Sequence, residues 1–442
     1  MHEAPPRPLT GGAVLAAASR ISVALAGAAT TVVLARVLGP EGWGRYAVAQ
    51  SLVVVLLAAT TLGIEHGIAY YVGSGRWAPR SALAAATHVA VVTGALGAGA
   101  GVAARVLAPS AFAGLPLWVA GVAAAGLPFA LVAVYASYVA LATDRYEASM
   151  LMPAAQAVLV LAGGIPGGVV FGVSGAVVAM TAAAVAVGAG SLLWAGRRLP
   201  PARSGEPGQL RRAISFGVKG YAANALQLVN YRLDMFVLAA VASTATVGRY
   251  ALAVAITSLL WLLPRALSDV LFPRVARLSG ADDADALRLV EEKSVRHASL
   301  AVAAGVVALA AGLELLVAPV FGARYRPAAG LGLILLPGMA AIGVGTVLAA
   351  TVVGRGRPVY SLYVALVTTP LTVVLYATLI PWLHANGAAL GSTISYVIGF
   401  ALTARFYRRV TGSRVLPLLV PTRSELDDLR ALWRRRRERE RR

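Results

Sequence analysis

The sequence predicts an all-α membrane protein with about 12 transmembrane helices in two parallel six-helix bundles. Of its 442 residues, 58% are hydrophobic and only 13% are charged. Apolar runs recur along most of the chain, and each is long enough to cross a hydrocarbon core of about 30 Å as a helix. Since a backbone in lipid must satisfy its own hydrogen bonds, helices are the expected structure for runs rich in Ala, Val, Leu and Gly.

Twelve spans are predicted in order along the chain. The first follows a short Pro-rich leader and is too long for a signal-peptide core, so we expect it to be retained. Short connections with Gly or Pro, such as Leu38-Gly39-Pro40, separate the spans. The predicted spans are 13–36, 46–72, 81–107, 115–142, 148–171, 174–196, 212–241, 248–273, 297–321, 328–353, 358–382 and 388–407.

The distribution of Lys and Arg predicts the orientation of these spans. The net charge is +20. With a cytoplasmic N-terminus, 29 basic residues fall in cytoplasmic segments and 6 in outer segments. Such a bias is typical of membrane proteins and favours both termini in the cytoplasm. The tail LRALWRRRRERERR could contact a partner or anionic lipids with Trp433 at the interface, or it could be a solvated helix that fixes topology.

An internal repeat predicts how the spans are grouped. Residues 34–49 and 238–253 align without gaps at a spacing of 204 residues and share Leu-Ala and Gly-Arg-Tyr-Ala. Both lie at the turn between the first and second helix of a half, so two halves with the same orientation are expected. The predicted units are a bundle at 1–196, a linker at 197–212, a bundle at 213–410 and a basic cytoplasmic tail at 411–442.

Arg20 is the first candidate substrate-binding residue. It lies about two turns into the first span, on a face with the small residues Ala13, Ala24, Gly27 and Thr31. Its guanidinium could bind a phosphate or carboxylate in bidentate geometry. Alternatively, it could extend toward the cytoplasmic headgroups.

The seventh span supplies the other candidates, because it is the most polar one. Its polar side chains cover more than half of the helix circumference, so it should line a cavity or be packed inside protein. Asn224 is the repeat equivalent of Arg20. The substrate-binding candidates on this span are Lys219, Asn224, Tyr231 and Arg232.

Four further charged residues are candidates for ion coupling or for ion pairs. Glu65 and Asp269 occupy equivalent positions of the repeat, and Arg265 lies four residues before Asp269. Asp234 is on the seventh span. Acids inside spans could carry protons or bind a coupling cation, but structural pairing is an equal alternative.

The chain lacks the signatures of a soluble enzyme. It has no cysteine, which excludes disulfides and cysteine metal ligands. A P-loop, a dinucleotide-binding glycine motif, a paired-His metal motif and a nucleophile elbow are all absent from the sequence. We therefore expect no enzymatic activity, no cofactor and no resident metal. If the protein transports a cargo, the expected energy source is a gradient of Na+ or H+, or the membrane potential acting on a charged cargo.

Three segments resemble the polysaccharide-export branch of the multidrug/oligosaccharidyl-lipid/polysaccharide (MOP) exporter superfamily. They carry an outer Leu-Gly-Pro-Glu-Gly turn, a Leu-Phe-Pro-Arg exit from helix 8 and an aromatic-Gly turn before Ala-Ala. The segments are 34–53, 232–278 and 315–340. The resemblance implies a flippase for polyprenyl-pyrophosphate-linked oligosaccharides, in which Arg20, Lys219 and Arg232 would meet the pyrophosphate.

The expected function is therefore transport of such a lipid-linked glycan across the bacterial cytoplasmic membrane by alternating access. The alternatives are a multidrug cation antiporter of the same fold and a membrane scaffold for polysaccharide-assembly enzymes. Expected partners are the glycan, membrane lipids and a polymerase or glycosyltransferases. Nucleic acid is not expected, and the protein is expected to be a monomer.

Overall fold

The computed structural model describes residues 9–201, 208–280 and 284–419, and none of these residues lies in a β-strand. The tail beyond 419, with Trp433, and residues 202–207 of the predicted linker lie outside this description. The helices are α1 Leu9–Thr60, α2 Ile64–Gly73, α3 Pro79–Leu107, α4 Leu117–Ala125, α5 Leu127–Ala142, α6 Tyr146–Arg198, α7 Gln209–Val241, α8 Thr244–Thr257, α9 Leu262–Gly280, α10 Ala284–Phe321, α11 Pro327–Gly354 and α12 Val359–Thr411.

Three of these helices each extend over two predicted spans, of which α1 reaches the second only as far as Thr60, and each leaves the helical conformation once. The departures are at Gly39 in α1, Gly172 in α6 and His384 in α12, all with positive φ. Glycine adopts this conformation without a Cβ clash, whereas at His384 it is strained. In α6 a Cβ added to Gly167 would lie 2.7 Å from the carbonyl oxygen of Gly175, so the chain folds back there.

The other predicted spans also correspond to helices, and three of the twelve spans are interrupted. The span predicted at 46–72 breaks between α1 and α2, where Leu62 and Gly63 have positive φ. The span at 115–142 breaks between α4 and α5 next to Pro128. The span at 248–273 contains a 3-10 turn, Ser258–Trp261, just before Pro264. Since proline has no N–H for the regular helical bond, it accounts for the second and third of these interruptions.

Eight segments of the described chain are long and apolar enough to cross a membrane, by length and composition. Those within α6 and α12 each correspond to two predicted spans, and the one within α1, Ser22–Thr60, covers parts of two. Helix α7 is not among the eight, because charged, Asn and Gln side chains interrupt its apolar sequence. The predicted all-α membrane architecture is confirmed, and α7 is its polar exception.

The internal repeat corresponds to matching local structure. The departure of α1 from helical geometry at Gly39 and the gap between α7 and α8 at Ala242–Ser243 are 204 residues apart. Both shared Gly-Arg-Tyr-Ala segments therefore begin the second helix of their half. Their tyrosines, Tyr46 and Tyr250, are both fully buried.

The two copies of the repeat also touch each other through their glycines. A Cβ added to Gly44 would contact the carbonyl oxygen of Thr244 and lie 2.9 Å from the nitrogen of Gly248. A Cβ added to Gly248 would contact the carbonyl oxygen of Pro40 and lie 3.0 Å from the nitrogen of Gly44. Since Pro40 and Thr244 are also repeat equivalents, the contact is nearly symmetric, as expected at a twofold axis between similar segments.

Contacts group the chain into two compact units. The first comprises residues 1–252, 317–327 and 376–388. Its core includes Ile64, Ile68, Leu131 and Tyr135, which pack α2 against α5. The predicted domain limits at 197–212 and 410 remain a prediction.

The second unit comprises residues 253–316, 328–375 and 389–442. An ion pair joins the ends of its helices, since the Arg355 Nε and Nη2 atoms donate to the two Glu291 carboxylate oxygens, both at 2.7 Å. The Arg355 Nη1 atom donates to the Val410 carbonyl at 3.3 Å. This bidentate bond to Glu291 raises the pKa of the Arg355 guanidinium and fixes α10, α11 and α12 to one another.

Candidate functional site

Helix α7 carries most of the predicted site, and its buried face is polar. Asn230 and Asp234, four residues apart on one face, are 1% and 2% exposed. Tyr231 and Arg232 are half-buried beside them. A helix with this face requires polar partners or water, because unpaired polar groups are costly in a membrane protein interior.

Asp234 is held by a tyrosine of the second repeat segment. The Tyr250 hydroxyl donates to the Asp234 Oδ2 atom at 2.6 Å, and the Met235 backbone N–H donates to Oδ1 at 2.8 Å. The Arg232 charge also acts on this carboxylate. Asp234 therefore has defined neighbours, among which two hydrogen-bond donors and a nearby cation oppose the cost of burying its negative charge.

Asn230 differs from Asp234 in its hydrogen bonding. Its Oδ1 atom is buried and accepts no hydrogen bond from the described residues. Buried acceptors are nearly always satisfied in proteins, so this oxygen is available to a proton donor or a cation. Asn230 belongs to the polar face expected of the seventh span but was not a predicted site residue, although its position one turn before Asp234 could have identified it.

Glu65 lies at the start of α2, directly after the break in the second span. It is 4% exposed, and the Thr61 hydroxyl donates to its Oε1 atom at 3.3 Å. Its Oε2 atom is buried without a hydrogen-bond partner among the described residues. The Tyr135 hydroxyl donates to the Thr61 carbonyl at 2.9 Å and so holds the broken segment in place.

The remaining predicted residues fall into two groups. The side chains of Arg20, Lys219 and Asn224 lie outside the described part of the structure, although their backbones are in α1 and α7. Arg265 and Asp269 are exposed on α9 in the second unit. The repeat equivalents Glu65 and Asp269 thus have different environments, because one is buried beside α5 and the other is at a surface.

A cluster of aromatic residues on α2, α5 and α7 was not predicted. Tyr70 and Phe216 stack with ring centroids 4.8 Å apart, and His66 lies within 6 Å of Tyr138 and of Tyr221. Sequence gives only a weak signal for this cluster, because its members come from three helices. The pair Tyr70-Tyr71 at the end of a span is the one local feature that could have pointed to it.

The first unit also contains a mostly apolar cavity of about 280 Å³. Its polar lining is limited to Ser137, Gln156 and Thr181, and the rest is aliphatic, methionine or proline. Such a cavity suits an apolar group of small size. In the described ranges, no group of three or more His, Asp or Glu side chains is placed to hold a metal ion.

Comparison with solved structures identifies the fold. An inward-facing multidrug resistance MATE family transporter of the MOP superfamily matches with a TM-score of 0.69 at 15% identity, over 90% of this chain and 98% of that one. The lipid II flippase MurJ in an inward closed conformation matches with 0.72 at 10% identity, over 92% and 89%. A MOP superfamily transporter from Pyrococcus furiosus matches with 0.61 at 14% identity, over 91% and 95%. The predicted MOP-type fold is confirmed.

Sequence comparison identifies the family. None of the curated proteins matches the chain. A family model described as polysaccharide biosynthesis protein matches residues 33–330, which include both repeat segments, Glu65 and all of α7. This multi-pass membrane protein with a MOP-type fold therefore belongs to the polysaccharide biosynthesis protein family.

Proposed function

We propose that the protein is a transporter that moves a polyprenyl-pyrophosphate-linked oligosaccharide across the cytoplasmic membrane by alternating access. The observation that carries the proposal is helix α7, a polar and basic helix in a membrane protein of a polysaccharide biosynthesis family. Ionisable residues within membrane spans face the protein interior or a water-filled cavity, and a hydrated pathway for a polar cargo would provide such a cavity.

The charge of the candidate residues favours an anionic cargo. Arg232 is half-buried on α7, and Lys219 and Arg20 are also positively charged. Arginine binds phosphate groups through a planar fork of donors, and lysine binds them as a compact charge. In this proposal the three residues neutralise the pyrophosphate, while the lipid tail stays in the bilayer. Asn224 and Tyr231 offer hydrogen bonds to the same head group.

Glu65 and Asp234 are the proposed coupling residues. Glu65 has a free carboxylate oxygen, and Asp234 lies one helical turn from the free amide oxygen of Asn230. Carboxylate and amide oxygens bind Na+, and a carboxylate also accepts a proton. A gradient of H+ or Na+ would then drive the cycle. Arg265 and Asp269 are proposed as a surface ion pair.

A flipping assay in proteoliposomes tests the proposal. The probe is a polyprenyl pyrophosphate carrying one N-acetylhexosamine, and its exposure is read with a membrane-impermeant lectin. Replacing Arg20, Lys219 or Arg232 by Ala should slow flipping about tenfold or more, because each removes a charge-assisted contact. Arg145→Ala is the control, since Arg145 is exposed outside the predicted spans.

Two outcomes would contradict this proposal. Unchanged flipping in all three alanine variants would overturn the role of the basic residues. Wild-type flipping that responds neither to a pH gradient nor to a Na+ gradient would overturn coupling through Glu65 and Asp234.

Export of a lipophilic drug cation is the second candidate function. The apolar cavity of about 280 Å³ beside Gln156 favours it, together with the similarity in fold to a multidrug resistance transporter. The same vesicles separate the two candidates, because a drug exporter would move a lipophilic fluorescent cation and leave the glycolipid in place. Recruitment of a polymerase or glycosyltransferases through the basic tail is compatible with the first function.

A further inference from the structure

Helices α2 and α7 approach each other so closely that their backbones touch. A Cβ added to Gly63 would lie 2.6 Å from the carbonyl carbon of Gly217, and one added to Gly67 would lie 2.9 Å from the Cα atom of Ala213. The two helices run antiparallel along this contact. Large side chains cannot lie between touching backbones, so those near the contact project to its sides.

Aromatic rings occupy one side of this contact at the end of α2. Tyr70 stacks on Phe216 at an interplanar angle of 15° and a centroid distance of 4.8 Å. Tyr71 is 5.0 Å from Tyr70 and 6.2 Å from Phe216. Tyr70 is 44% exposed and Phe216 is 43% exposed, so much of both rings is open to a ligand.

A second group of rings continues one turn deeper along the same helices. His66 is 5.8 Å from Tyr138 of α5 and 5.9 Å from Tyr221 of α7. The buried carboxyl group of Glu65 is adjacent to His66 in the chain. We call the six residues Tyr70, Tyr71, Phe216, His66, Tyr138 and Tyr221 the aromatic track.

Positive charge lies at the exposed end of the aromatic track. The Arg76 guanidinium is 5.9 Å from the Tyr70 ring centroid, and its Nη1 atom donates to the Tyr70 hydroxyl at 3.5 Å. The Gln209 side chain donates to the Arg76 carbonyl at 2.8 Å, which ties this turn to the start of α7. Arg211 and Arg212 are exposed on the first turn of α7. Ring faces and guanidinium groups therefore lie side by side.

We propose that the aromatic track is the sugar-binding part of the transport pathway, and this inference rests on the proposed function. A pyranose ring has an apolar face of C–H groups that packs on an aromatic ring, while its hydroxyls bond to tyrosine and histidine. The occupant is the sugar attached to the pyrophosphate as the cargo enters from the cytoplasm. At this stage the pyrophosphate charges meet Arg76, Arg211 and Arg212, before they pass on to Arg20, Lys219 and Arg232.

The position of the track suits such a cargo. Tyr70 and Tyr71 lie at the predicted cytoplasmic end of a span, the depth at which a pyrophosphate joins its lipid tail. From there the rings lead along α2 and α7 toward the middle of the predicted span. Aromatic residues that only anchor a protein to lipid headgroups would not need a partner ring from a second helix or a continuation into the interior.

Paired binding measurements test the track in detergent-solubilised full-length protein. One probe is a polyprenyl pyrophosphate with a single N-acetylhexosamine, and the other is the same lipid without sugar. The double variant Tyr70→Ala/Phe216→Ala should weaken binding of the sugar-bearing lipid about tenfold, because two ring contacts are lost. Binding of the sugar-free lipid should change by less than about twofold. Tyr70→Phe should retain most of the affinity, because it keeps the ring.

The stacked pair Tyr360–Phe406 provides a matched control, with a centroid distance of 4.5 Å and an angle of 16°. Tyr360→Ala/Phe406→Ala should leave both affinities unchanged. Equal loss for the two lipids in the Tyr70/Phe216 variant would overturn the track as a sugar site, because the rings would then contact the part that both lipids share. Equal loss in the control pair would overturn it too, because the effect would not be specific to the track. Wild-type protein that binds neither lipid would overturn the proposed function itself, whereas wild-type binding unaffected by Tyr70→Ala/Phe216→Ala would overturn the track alone.

Discussion

Asp234 shows how a carboxylate is accommodated in the membrane-spanning region of this protein. It is 2% exposed, and the fully buried Tyr250 donates to it over 2.6 Å. The first half of the repeat has Thr30 at the equivalent position, where its hydroxyl donates to Ala26 of the same helix. The two halves therefore share a backbone arrangement but differ in the chemistry of one buried site.

A double-mutant cycle measures the bond between Asp234 and Tyr250. Tyr250→Phe should destabilise the protein by about 1.5–3 kcal/mol, because it leaves a buried oxygen of a charged group unpaired. The cycle with Asp234→Asn should give a coupling energy of about 1 kcal/mol or more. Thermal unfolding in detergent is the measurement.

The control for this cycle is Tyr46→Phe. Tyr46 is the repeat equivalent of Tyr250, is 1% exposed and stacks on Trp43 with centroids 5.6 Å apart. Its hydroxyl faces no aspartate at the equivalent repeat position, so the change should cost less than about 1 kcal/mol. Equal costs for the two tyrosines would contradict the assigned role of Asp234.

At the scale of the elements, glycine determines which helices touch. Gly44 and Gly248 allow the two repeat segments to meet backbone to backbone, and Gly63 and Gly67 do the same for α2 and α7. Small residues at helix contacts are the usual means of close packing in membranes, because lipid provides no hydrophobic force between helices. The shared Gly-Arg-Tyr-Ala motif is explained by this contact and by burial of its tyrosine.

Alanine substitutions test the contact between the repeat segments. Gly44→Ala should destabilise the protein by about 1–3 kcal/mol, because the added methyl group would overlap the carbonyl oxygen of Thr244. Gly248→Ala should act similarly through Pro40. Unfolding by denaturant or heat in detergent gives the measurement.

Gly99→Ala provides a control for which the opposite change in stability is expected. Gly99 lies inside α3 with nothing within 4 Å of an added Cβ, so alanine should stabilise the helix by up to about 1 kcal/mol. If Gly44→Ala were as stable as Gly99→Ala, the repeat segments would not be in contact.

At the scale of the whole molecule, twelve predicted spans correspond to helices, and the predicted orientation follows from the distribution of Lys and Arg. The natural chain has no cysteine, so single cysteines can be introduced without a prior substitution. Arg326 is in a predicted outer segment, and Lys293 is in a predicted cytoplasmic segment; both are exposed.

Labelling with a membrane-impermeant maleimide tests this orientation. In intact cells Arg326→Cys should react and Lys293→Cys should not, and inverted membrane vesicles should give the opposite result. A cysteine at Arg442 should behave like Lys293→Cys, because an even number of spans returns the chain to the side of its N-terminus. Reaction of Lys293→Cys in intact cells would reverse the orientation.

Hydropathy by itself determined the fold class, the number of spans and the position of the polar helix, because lipid imposes a length and an apolar composition on each span. Local residue chemistry marked Gly39 as a turn, since glycine is free to adopt positive φ. The repeat was visible because its two segments retain the same residues. The breaks at Leu62–Gly63 and at the 3-10 turn before Pro264 were not predicted, because long apolar runs conceal them.

Only the tertiary structure decided which side chains meet. The contacts between Asp234 and Tyr250, Gly44 and Gly248, and Tyr70 and Phe216 join residues on different helices, and no local pattern in the sequence records such pairs. The different burial of Glu65 and Asp269 was also hidden, because equivalent positions in a repeat share a backbone path but have different neighbours. Sequence determines which segments enter the membrane, and the packing of their surfaces determines where a polar cargo can bind.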